Sequence, residues 1–215
     1  MSVTFGFYDF FSYTLPGALY ILTLNQFLGA LRFPNITIND LGSNLGYAIV
    51  GLGIAYVVGH LMDAFGFRWY FLFNRNDAER RAINEFKNNY PDLKITFGIQ
   101  DRRMLMTFIR HNDLPLAESI DQYKAISIML ENISFGLFLF ALLQLVDMLI
   151  NGFSVLGVSA LVLALIFSFI SVKRSALFNQ WYFSGTFGQA LHYGKSVPEM
   201  FKNSPRRDVK KGSRK

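Results

Sequence analysis

FSVLGVSALVLALIFSFISV, residues 153–172, decides how this chain is read. The twenty residues carry no charge, and Lys173 and Arg174 follow at once. At about 1.5 Å of rise per residue, a helix of that length crosses the roughly 30 Å hydrocarbon core of a bilayer. A soluble helix needs a polar face, and this stretch has none. The hydroxyls of Ser154, Ser159, Ser168 and Ser171 can bond back to their own backbone. The alternative is a helix buried in a soluble core, and the rest of the chain speaks against it.

The 215 residues are 52% hydrophobic and only 17% charged, where a soluble domain carries about 25% charged residues. Mean hydropathy is +0.27. Phe occurs 23 times, as lipid-facing helices allow. The absence of cysteine excludes a disulfide framework, a thiolate zinc site and a cysteine nucleophile. Residues 1–14 hold no Lys or Arg, so the basic start of a signal peptide is not expected there.

Three more spans are expected. Residues 13–31 form the first, led in by an aromatic interfacial segment, 5–13, whose only charge is Asp9. Pro16-Gly17 falls near its start, where proline costs little. Residues 45–62 form the second. Asp113-Leu114-Pro115 is a helix start, and no breaker follows before Asn151-Gly152. The third span is therefore the outer part of one long helix, 116–150, and Asn151-Gly152 turns it back into the fourth. The expected fold class is an all-α membrane protein, with four transmembrane helices and a small helical cytoplasmic insertion between spans two and three. Its units are 1–66, the interfacial start and spans one and two; 67–127, the cytoplasmic region; 128–172, the hairpin of spans three and four; and 173–215, an aromatic interfacial segment and a basic tail.

Within the insertion, Arg68-Trp69-Tyr70 reads as an interface anchor. A helix over 77–89 carries Ala78, Ala82, Ile83, Phe86 and Tyr90 on one face, and a second over 101–110 turns Met104, Leu105, Phe108 and Ile109 inward. Between them Leu93, Ile95, Phe97 and Ile99 alternate with polar residues in the manner of a short strand. The two apolar helix faces are too small for a large core of their own and are expected to dock a partner protein. Further on, Phe178, Trp181, Tyr182, Phe183 and Phe187 form an aromatic belt, and six of the ten residues 206–215 are basic.

Charge sets the orientation. Of 21 Lys and Arg, ten lie in 67–127, ten in 173–215, and only Arg32 elsewhere. The positive-inside rule puts both stretches, and hence both termini, on the cytoplasmic side of the membrane. A polybasic tail attracts anionic lipid or phosphates of nucleic acid. No recognition helix or zinc spacing is present, so lipid is the expected partner and nucleic acid is not.

Two stripes of small residues suit close helix packing, within or between subunits: Gly51, Ala55 and Gly59 in span two, and Gly157, Ala160, Ala164 and Ser168 in span four. Intramembrane polar groups are the candidate functional residues. His60 and Asp63, a turn apart, form either a proton relay or a structural pair, and Glu131 lies at a similar depth, so that the three can cluster. Asn25, Gln26, Gln144 and Asp147 sit toward the outer side, as a pore mouth or as interhelical hydrogen bonds. No catalytic or metal-ligand spacing appears, so neither an enzyme nor a cofactor is expected.

Residues 7–17, FYDFFSYTLPG, resemble the start of small four-span membrane proteins of bacterial phage-defence loci, such as the membrane subunit of the Kiwa system. The resemblance covers these eleven residues and the general layout. It implies a bacterial inner-membrane oligomer that works with a cytoplasmic partner in antiviral defence. It carries over no functional residue. The function expected is thus a non-enzymatic sensor or scaffold subunit. An oligomeric channel or membrane-perturbing effector is the alternative, and a proton-coupled transporter the third.

Overall fold

The computed structural model describes residues 3–31, 45–74, 77–89, 91 and 101–189. Among them the fold is all-α, in six helices: α1 (Val3–Ala30), α2 (Leu45–Asn74), α3 (Asp77–Asn89), α4 (Asp101–Asn112), α5 (Leu114–Asn151) and α6 (Val155–Gln189). Three of them, α2, α5 and α6, are long and apolar enough to cross a membrane. α1 is not among these three. The expected strand at 93–99, Tyr90, and the tail beyond Gln189 lie outside the described residues.

The α5–α6 hairpin is the backbone of the molecule. Asp113 caps α5 by accepting from the Leu116 N–H at 3.0 Å, with Pro115 in the first turn where its missing donor costs nothing. At the far end Gly152, at φ +97°, turns the chain and returns its N–H to the Met148 carbonyl. Ser154 then caps α6 through the Gly157 N–H at 3.0 Å. Along the seam, buried Ile120, Ser127, Ser134, Ala141 and Met148 recur every seven residues on α5. Ser168, Ser175 and Tyr182 do the same on α6. This is the spacing of an antiparallel coiled coil, built with small residues. Ser134 and Ser168 each donate to the other's carbonyl, at 2.7 and 2.8 Å. Large apolar side chains point the other way: Leu149, Phe153, Leu163 and Phe167 are exposed. A core of serines under a coat of leucine and phenylalanine suits lipid rather than water.

α1 and α2 pack backbone to backbone. A Cβ on Gly17 would lie 1.7 Å from the Ala55 carbonyl oxygen, and one on Gly59 would lie 1.9 Å from that of Tyr13. The small stripe of α2 therefore faces α1, through Ala55 and Gly59, while that of α6 faces α5 through Gly157, Ala164 and Ser168. The two stripes do not meet each other. Gly51 and Ala160 are only partly buried. Pro16 stands mid-helix, because α1 begins ten residues before the expected span.

The last turns of α2 run across the hairpin, not along it. Asp63 and Gly66 meet Asn132 of α5, whereas Tyr70 and Asn74 meet Asn179 and Val172 of α6. Since Ser134 faces Ser168, Asn132 and Val172 lie within a turn of the same height. The helix also continues through Arg68-Trp69-Tyr70 to Asn74, so the boundary drawn between 66 and 67 falls inside α2.

Beyond this crossing α5 and α6 continue into a helical head. Ala78, Ala82 and Phe86 of α3, Leu105, Met106 and Ile109 of α4, Ala117 and Ile120 of α5, and Tyr182, Phe183 and Phe187 of α6 form one buried cluster. This corrects two expectations. The apolar faces of α3 and α4 are not a docking surface, because the ends of α5 and α6 cover them. Likewise Tyr182, Phe183 and Phe187 leave the aromatic belt for the core, and only Phe178 and Trp181 stay outside it, against Tyr123. The boundary at 172 likewise falls within α6. Arg110 and Asp121 pair at 2.6 Å and tie α4 to α5.

Glu79 of α3 is the weak point of the head. One carboxyl oxygen is buried without a hydrogen-bond partner among the described residues. Burial lifts its pKa above the usual range, and Arg102 offsets only part of that. A raised folded pKa means stability present below the unfolded value of about 4.3 and lost as pH rises through the folded one.

Two predictions follow from this packing. Gly17→Leu drives side-chain atoms into the Ala55 backbone and lowers stability in detergent by about 1–3 kcal/mol or more. Gly53→Ala, with open space at its Cβ, is neutral or slightly stabilising. Thermal unfolding followed by circular dichroism separates the two. Glu79→Gln raises the thermal midpoint at pH 7, and the gain narrows toward pH 4; a gain that grew on acidification would contradict the assignment.

Candidate functional site

The side chains with chemistry gather where α2 crosses the hairpin. Glu131 is 3% exposed and accepts from Ser127 Oγ at 3.0 Å and Ser175 Oγ at 3.1 Å. Lys124, two turns earlier on the same face of α5, is the opposite charge that acts on it. The Lys124 ammonium donates to Asn179 Oδ1 at 3.3 Å, and the Asn179 amide donates to the Tyr70 hydroxyl at 3.2 Å. Beside them Asn132, fully buried, donates to Asp63 Oδ1 at 3.0 Å. The Tyr20 hydroxyl donates to the Asn132 carbonyl at 2.7 Å, which brings in α1. Four helices thus share one polar layer.

Of the cluster expected from Asp63, Glu131 and His60, the first two lie in this layer: Asp63 of α2 bonds Asn132, the neighbour of Glu131 on α5. His60 does not. It is exposed, with its ring against Tyr13 at 4.7 Å and Tyr56 at 6.2 Å between centroids. One turn along α2 separates His60 and Asp63, but the crossing aims Asp63 at α5 and leaves His60 on the α1 side. That geometry favours a structural role for Asp63 over a His–Asp relay.

The other polar group forms a pit at the hairpin-turn end. Gln26 Nε2 donates to Gln144 Oε1 at 3.2 Å across α1 and α5. With Thr23 and Asp147 they line a cleft of about 250 Å³. Asp147 accepts from Asn151 at 2.8 Å, and Asn151 also reaches the Ala30 carbonyl at 3.4 Å, fastening the end of α1 to the turn. Asn25 is half-buried and does not line this cleft. Interhelical bonding accounts for the Gln26–Gln144 pair within a single chain.

Sequence reading missed Lys124, Ser127, Asn132, Ser175, Asn179, Tyr20 and Tyr70. A signal was available for the serines, since Ser127 and Ser134 are seven apart, as are Ser168 and Ser175. The tyrosines carry none, because their partners come from helices whose crossing no local pattern encodes.

Glu131 and Lys124 act on each other as opposite charges on one face of α5 without a direct ion pair, so removing Glu131 leaves Lys124 with Asn179 alone. Glu131→Leu is expected to cost roughly 2 kcal/mol, less than the about 3–5 kcal/mol of a broken buried ion pair, because Lys124 is partly exposed and keeps Asn179. Glu131→Leu with Lys124→Met recovers most of that loss, read as unfolding midpoints in detergent; additive losses would show that the two charges act independently. No family model, curated protein or solved structure matches this chain.

Proposed function

We propose that this chain is a non-enzymatic sensor or scaffold subunit of a bacterial antiviral defence complex. It sits in the inner membrane with both termini in the cytoplasm, assembles as a homo-oligomer and engages a cytoplasmic protein. α1 supplies the fourth span in this reading. Its 28 residues reach about 42 Å, and it follows α5 from Ser12 beside Ala125 to Ala30 beside Asn151. The aromatic stretch of residues 7–17 and the placement of basic residues support the assignment.

One observation carries the reading most: α5 and α6 run without a break from the apolar section into the head. A displacement at the hairpin turn is carried to the head by two rigid helices, as a relay between lipid and a soluble partner requires. The partner surface consists of the outward faces of α3 and α4, where Arg80, Arg81, Lys87, Arg103 and His111 are exposed. Such a surface suits an acidic partner and not an apolar one. The broad apolar outer faces of α2 and α6 leave room for further copies in the membrane.

Reversing Arg80, Arg81 and Lys87 to Glu is expected to lower co-purification of the partner from cross-linked membranes at least tenfold, about 1.4 kcal/mol, with insertion unchanged. Undiminished capture would remove this surface from consideration. A reporter fused after Lys215 that became active only in the periplasm would overturn the orientation.

A further inference from the structure

The crossing of α2 over the hairpin leaves a groove on its outer side that the proposed function does not use. Phe65, Trp69, Leu72 and Phe135 form its walls, Arg68 stands among them, and its volume is about 520 Å³. The floor is fixed. Trp69 donates its indole N–H to Ser134 Oγ at 3.0 Å and stacks on Phe138 at 4.1 Å, and Phe65 stacks on Phe135 at 6.1 Å. The rim is open, with Phe65 and Leu72 exposed.

Arg68 is the one Lys or Arg in α2. It is exposed and has no ion pair among the described residues. The nearest acidic residue along α2, Asp63, is engaged by Asn132. Two further cations lie close in height, because Asn74 bonds the Val172 carbonyl and Lys173 and Arg174 follow it, both exposed. The groove therefore joins an aromatic trough to a guanidinium at the level where the apolar run of α6 ends. An anionic head with a hydrocarbon chain attached satisfies both halves; a free anion would leave the trough empty, and a zwitterionic lipid, whose phosphate can also meet Arg68, would bring an ammonium up against Arg68, Lys173 and Arg174.

We infer that this groove binds one anionic phospholipid, its phosphate on Arg68 and an acyl chain along Phe65, Trp69 and Phe135. The inference is independent of the defence assignment. Trp69 is itself the reporter, since the chain has 2 tryptophans and Trp181→Phe leaves only one. In phosphatidylcholine vesicles, a minor fraction of phosphatidylglycerol brominated in its acyl chains should quench Trp69 about fivefold more effectively than brominated phosphatidylcholine. That is the scale of one basic side chain at an anionic lipid. Arg68→Gln should abolish the preference, and Arg68→Lys, which keeps the charge, should retain most of it, so that a loss through failed insertion is told apart. Added inorganic phosphate should leave the quenching unchanged. Equal quenching by both lipids, a preference that survives Arg68→Gln, or relief by phosphate would each overturn the inference.

Discussion

The close approach of α5 and α6 constrains everything else. Two long helices lie together because serine, alanine and glycine recur on their facing sides, and the large side chains are sent outward. Without a hydrophobic drive between helices in lipid, packing and short hydrogen bonds must hold the seam. The reciprocal Ser134–Ser168 bonds do so while using groups that would otherwise fold back on their own helix. Each such bond is worth only about 0.6 kcal/mol, so the seam depends on repetition over its whole length.

Upon that seam the chain sets one strongly polar layer. Glu131, Lys124, Asn132 and Asp63 are costly to bury, and each is answered by a partner on another helix. Asp63 and Tyr70 fasten α2 to both members of the hairpin, and Tyr20 fastens α1. The layer thus specifies where α2 crosses. Gly66 allows that crossing, since a Cβ there would lie 2.1 Å from the Asn132 side chain. Apolar contacts alone would let α2 slide; matched polar groups do not.

Three long apolar helices, the long reach of α5, the hairpin turn and the two short helices α3 and α4 were legible in the sequence. Each rests on a local signal: hydropathy, the Asp113 cap, Gly152, or a 3.6-residue period. What was not legible is what those elements meet. α3 and α4 read as unpartnered because their cover comes from Ile120, read as part of the long third helix, and from Phe187, distant in sequence and assigned to another unit. Lys173 and Arg174 read as the end of a helix because they end an apolar run, yet charge ends only the contact with lipid, not the helix. His60 and Asp63 looked paired because neighbours one turn apart share a face, and the crossing of α2 splits that face between two helices.

The shared walls of the head set an order of events at the ribosome. Ala82 and Phe86 are made about a hundred residues before Phe187, which closes their core. At roughly 5–20 residues per second, these faces wait on the order of five to twenty seconds for their cover. α6, the last of the described helices, supplies one side of the seam and the closing wall of the head, so neither is complete until it has been made.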